Sequence, residues 1–147
     1  MENPASLNVF KAPEKNDKAG RPLLLESVQA GFPSPAEDFI ERSLDLNEYL
    51  VRHPAATFFV RAQGESMIEA GIHSGDILVV DRALDASDGR IVIAVLDGEL
   101  TVKRFRRFGG KVCLEAASRS FRKPVEFDDE SELTIWGVVT HMIHEAR

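Results

Sequence analysis

The chemistry of this chain centres on Ser66, in the turn Gly64-Glu65-Ser66-Met67, and on Lys103, within Glu99-Leu100-Thr101-Val102-Lys103-Arg104-Phe105. A serine needs a base to become a nucleophile, and a neutral lysine amine can serve when no histidine is placed to do so. The pair therefore points to peptide-bond hydrolysis by a Ser-Lys dyad. An unperturbed lysine has a pKa of about 10.4, so roughly one amine in 2,500 is neutral at pH 7. Lowering that value to about 7 takes roughly 4 to 5 kcal/mol of differential destabilisation of the ammonium, within the reach of burial beside apolar groups.

Two elements must position the pair. In a strand, alternate residues face opposite ways, so Thr101, Lys103 and Phe105 share one face, and Lys103 can point into a partly desolvated cleft. Gly64 provides a flexible exit from the strand before it. Ser66-Met67-Ile68-Glu69-Ala70-Gly71 is read as one or two helical turns, which would put the backbone N–H groups of Ser66 and Met67 where an oxyanion can be stabilised. On the residues alone, a Gly-x-Ser is most often a helix N-cap and a strand lysine most often a solvated one. Both readings stay open at this level.

Composition narrows the classes. With 147 residues, 44% of them hydrophobic and 29% charged, the chain is long enough for one domain with a real core. The net charge of −6 argues against a nucleic-acid binder held mainly by phosphate neutralisation, and the run Lys103-Arg104-Phe105-Arg106-Arg107 is read as a hairpin strand emerging into solvent. The single cysteine, Cys113, is read as a small core residue and excludes an intramolecular disulfide or a cysteine metal site. No run is apolar enough for a membrane span or a signal peptide, so a cytoplasmic protein is expected. Of the four histidines, His53 precedes a proline, His73 lies in a turn, and His141 and His144 fall on opposite faces of the last strand. That spacing disfavours a metal site shared by the last two, and no metal or cofactor is expected.

Character changes near residue 31. Residues 1–30 carry Pro4, Pro13, Gly20 and Pro22, with four basic residues balancing four acidic ones, and read as a flexible N-terminal arm. Leu23-Leu24-Leu25 and the residues that follow could lie on the domain as an extended strand. Residues 31–147 form the expected globular domain. Ser34-Pro35-Ala36-Glu37 and Asp45-Leu46-Asn47-Glu48 each carry a helix-start pattern, predicting two short helices with Phe39, Ile40, Leu44, Tyr49 and Leu50 as the buried stripe. From Thr57 the period becomes that of strands: Phe58–Ala62, Ile77–Val80, Arg90–Leu96, Glu99–Phe105, Lys111–Glu115, Val125–Phe127 and Leu133–Ile143. Asp97-Gly98 predicts a tight hairpin, and Trp136-Gly137 a bulge in the closing strand. The expected fold is mostly antiparallel β with short N-terminal helices.

Gly64-Glu65-Ser66-Met67, Gly71-Ile72, Gly75 to Asp81 and Thr101-Val102-Lys103-Arg104 together resemble the LexA-type self-cleaving serine peptidases. More narrowly, Gln29 to Ala36, Asp45-Leu46-Asn47 and His53 to Val60 resemble the UmuD-like SOS mutagenesis branch of that family. The resemblance implies that Ser66 is the nucleophile, Lys103 the general base and Ala30-Gly31 the bond cut. Small residues at Ala30 and Gly31 suit this, since they let the scissile carbonyl approach Ser66 closely. It also implies a homodimer, stimulation by the RecA nucleoprotein filament, and a cleaved form, residues 31–147, that acts with a UmuC-type error-prone DNA polymerase. Only about 30 residues precede the bond, too few for a helix-turn-helix domain, so direct sequence-specific DNA binding is not expected. The competing expectation is an interaction module that keeps the peptidase fold without the activity. A signal-peptidase-like enzyme shares the dyad but should carry a membrane anchor.

Overall fold

The computed structural model describes residues 8–12, 20–24, 40–119 and 123–146. The described residues form ten strands: β1 Asn8–Lys11, β2 Gly20–Leu24, β3 Ile40–Asp45, β4 Thr57–Arg61, β5 Ile77–Asp81, β6 Ile91–Leu96, β7 Glu99–Phe108, β8 Lys111–Glu115, β9 Val125–Phe127 and β10 Thr134–Ile143. Eight make one sheet in the order β1-β4-β5-β10-β6-β7-β8-β9, and β2 pairs with β3 separately. Every pairing is antiparallel. The expected fold class is borne out.

Local turn chemistry sets much of this register. Asp97 and Gly98 adopt φ of 51° and 79°, the two positive values that a two-residue hairpin with matching twist needs, and they join Leu96 to Glu99 as cross-strand partners. β10 is central, and its pairing with β6 shifts between Ile135 and Gly137, the bulge expected at Trp136-Gly137. A second shift, between Val139 and His141, occurs against β5.

Both faces of the central strands are buried, as their continuous apolar runs require. Ile93 and Val102 join Val60, Met67, Ile72, Leu78, Val80 and Val139 in one cluster, with Ile91 and Leu100 packed against it. Val92, Ala94 and Phe105 join Val112, Leu114, Leu133 and Val138 in the other. Strand alternation thus feeds two cores from β6 and β7.

The N-terminal part departs from expectation. Asp45 caps a short helix α1, Leu46–Leu50, accepting from the N–H groups of Asn47 and Glu48 as its pattern predicts. The helix start at Ser34 lies outside the described residues, but Ile40 and Leu44, assigned to a helical stripe, are in β3 instead. Positions four apart share a side in a helix and in a strand alike, so the pattern does not discriminate. Tyr49 is also no part of a buried stripe, being 54% exposed. Within the arm, Asn8–Lys11 pairs with β4 and Gly20–Leu24 with β3.

Candidate active site

Ser66 sits in the connection between β4 and β5. Gly64 takes φ of 87°, turning the chain sharply out of β4, and its N–H donates to the Ser74 hydroxyl. The expected helical turns reduce to a single 3₁₀ turn, Ile68–Ala70, whose N-cap is Met67 without a side-chain capping bond. Ser66 is therefore not the cap of that turn. Its carbonyl accepts from the Ala117 N–H at 2.8 Å, and the Glu69 N–H donates back to the Ala117 carbonyl at 2.7 Å. Among the described residues, neither the Ser66 nor the Met67 N–H has a backbone carbonyl as partner, so both donors remain for an incoming oxygen.

Lys103 lies in β7 opposite Val92 of β6. It is half-buried, and burial is the cause that pulls its ammonium pKa below the ordinary 10.5. Desolvation favours the neutral amine, the form a general base requires. The chain leaving β8 bridges the two candidates: β8 pairs with β7, while Ala117, just beyond it, bonds the Ser66 segment. Met67, Val102 and Ala117 meet in one apolar cluster, whereas Lys103 shares its strand face with Phe105 and pairs with Val92, both of the other cluster. Ala30 and Gly31 lie outside the described residues. They belong to the connection 25–39 between the paired strands β2 and β3.

The basic run of β7 is taken up internally. Arg104 donates to the Gly89 carbonyl, Arg106 bonds Asp88 and Glu115, and Arg107 bonds Glu130. A depression of about 280 Å³ bordered by Arg90, Arg104, Thr140 and His141 is lined by neither Ser66 nor Lys103. Cys113 is partly buried rather than enclosed in the core, with its thiol pKa raised chiefly by desolvation.

The histidines take other roles. His53 bonds Asp81, and His141 bonds Thr140 and tilts against the Tyr49 ring. His144 instead bonds the buried Asp76 at 2.6 Å, and His73 stacks on His144 with ring centroids 4.4 Å apart. Burial pushes the Asp76 carboxyl up, but the His73 N–H and the two imidazoles outweigh it and hold the group below its usual range. Reading the sequence missed this cluster, because His144 reaches Asp76 only through the register in which Ile143 faces Ile77.

The antiparallel sheet carries one candidate, Ser66, in a turn after β4 and the other, Lys103, as a half-buried lysine in β7, an arrangement in keeping with a peptidase domain. Residues 22–140 match the Peptidase S24-like family, and the chain belongs to it. That makes it a serine peptidase of a self-cleaving family. It is 50% identical over 135 residues to Protein ImpA of Salmonella typhimurium, covering 92% of this chain and 91% of that one. Protein MucA of Escherichia coli is 43% identical over 141 residues, 95% and 94% of the two chains. LexA repressor 1 of Pseudomonas putida is 42% identical over 130 residues, which span 88% of this chain and 63% of the repressor. The family and its UmuD-like branch are those expected from the sequence. Among the described residues no helix is long and apolar enough to cross a membrane.

Proposed function

We propose that this protein is a UmuD-like switch of the SOS DNA-damage response, which cuts its own Ala30-Gly31 bond and thereby becomes an accessory subunit of a UmuC-type translesion polymerase. Ser66 attacks the Ala30 carbonyl carbon, and neutral Lys103 takes the hydroxyl proton. The Ser66 and Met67 N–H groups stabilise the oxyanion. Collapse of the tetrahedral intermediate breaks the C–N bond, the Lys103 ammonium protonates the Gly31 amine as it leaves, and water then hydrolyses the acyl-serine.

The observation that carries this reading is the state of Lys103. In a Peptidase S24-like chain, a strand lysine is desolvated with burial as the cause of its lowered pKa. The cleaved form works as a homodimer, and the RecA filament on single-stranded DNA accelerates cleavage. Mixing the purified chain with RecA filaments tests both the dyad and its regulation. The wild-type chain should be cut faster with filaments than without, while Ser66→Ala and Lys103→Ala chains stay whole. A wild-type chain left whole by filaments and by alkaline pH alike supports a non-catalytic interaction module.

A further inference from the structure

His73, Asp76 and His144 form a cluster outside the peptidase site, and their ligand atoms lie within 4.8 Å of one another. We propose that these three residues bind one divalent transition-metal ion of the zinc class. Two imidazoles and one carboxylate suit zinc, nickel or copper rather than calcium or magnesium, whose ligands are mainly oxygens.

The fold builds this cluster. The turn before β5 is rigid: Gly75 has φ of 97°, the Gly75 N–H donates to the Ala62 carbonyl, and the Ala62 N–H to the Asp76 carbonyl. The His73 N–H donates to Asp76 Oδ2 at 2.8 Å, fixing a carboxylate whose side chain is only 3% exposed. Antiparallel register against β5 then brings in His144, one residue past the Ile143–Ile77 pair.

The spacing fits an ion with little movement. Donors about 2.0 to 2.2 Å from a tetrahedral zinc stand roughly 3.3 to 3.5 Å from each other. The His144 Nδ1 to Asp76 Oδ1 distance is 2.6 Å and the His73 Nδ1 to Asp76 Oδ2 distance is 3.8 Å; these are the two oxygens of one carboxylate, so an ion held at Asp76 is reached by both imidazoles after a small ring rotation. Both imidazoles are part-exposed, so their rings can swing while Asp76 stays fixed. On binding at Nδ1, His144 gives up the proton it shares with Asp76: a neutral ring then carries its one proton on Nε2, an imidazolium releases one proton to solvent, and water completes the coordination. The His53–Asp81 pair lacks a second imidazole. It offers no comparable site.

Calorimetric titration with zinc chloride tests the proposal, using metal-stripped full-length protein carrying Ser66→Ala to keep the chain whole. One ion per chain should bind, and His73→Gln or His144→Gln should each weaken binding at least tenfold. Zinc should raise the melting temperature of the parent but not of the His73→Gln/His144→Gln double variant. His53→Gln, His141→Gln and Cys113→Ser should leave the affinity unchanged. No saturable binding up to about millimolar zinc, or equal binding by the double variant, overturns the assignment.

Discussion

The Ser66 carbonyl accepts a hydrogen bond from the Ala117 N–H at 2.8 Å, although the two residues lie in separate loops after β4 and β8. The bond holds the Ser66 turn against the chain that leaves the strand neighbouring that of Lys103. Replacing Ala117 by proline removes that donor without removing the carbonyl that accepts from Glu69. Loss of a hydrogen bond of this kind costs about 1 kcal/mol, so Ala117→Pro should lower the melting temperature slightly yet slow self-cleavage at least tenfold. Parallel thermal scans and cleavage time courses check this.

Desolvation of Lys103 predicts the pH profile. Its pKa is lowered from 10.5, so cleavage should accelerate as pH rises and level off before pH 10.5. Stability has the same sign. Between the lowered folded pKa and the unfolded value the unfolded chain binds more protons, so this group's contribution to stability grows with pH across that window and is lost below it. Lys103→Met, which should abolish cleavage, should also remove that component of the stability slope, measured by urea titration at several pH values.

Gly137 occupies the β10 bulge for a packing reason. A Cβ there would lie 2.5 Å from Val80 Cγ1 and 3.2 Å from Arg82 Cγ. Val80 is fully buried and cannot yield cheaply, so Gly137→Ala should destabilise by about 1 to 3 kcal/mol through overpacking. Chemical denaturation of the variant beside the parent measures it.

The pairing of β1 with β4 ties arm removal to the exposed edge of the sheet. Val9↔Val60 and Phe10↔Phe59 are partners, and the Lys11 amine also donates to the Ala55 carbonyl. If cleavage at Ala30-Gly31 frees residues 1–30, β4 becomes an open edge, ready to pair with another chain. Amide exchange within Thr57–Arg61 should be faster in residues 31–147 than in the intact chain. Equal exchange would mean that the arm does not protect this strand.

How much of this could be read from the sequence depended on the distance between partners. The Asp97-Gly98 hairpin and the Trp136-Gly137 bulge are encoded by adjacent residues whose backbone demands are specific, and both were legible. The pairings of β1 and β2 depend on strands far along the chain and run through Lys11, Arg21 and Pro22, residues with no strand signature of their own. Ile40 and Leu44 fit two periods at once, and the choice between them comes from the partner strand. At the site, Ser66 and Lys103 are proposed from motif and alternation. Ala117 carries no chemical signal, since its contribution is a backbone N–H. The Asp76–His144 bond likewise needs the β5–β10 register before the two residues can be connected.

The central claim is that Ser66 and Lys103 cut one bond within this chain. Its most direct test is to incubate the purified full-length protein at alkaline pH and determine the N-terminus and mass of the product. The account predicts a single fragment beginning at Gly31, absent from the Ser66→Ala and Lys103→Ala proteins. A product with a different N-terminus, or cleavage that persists in either variant, contradicts it.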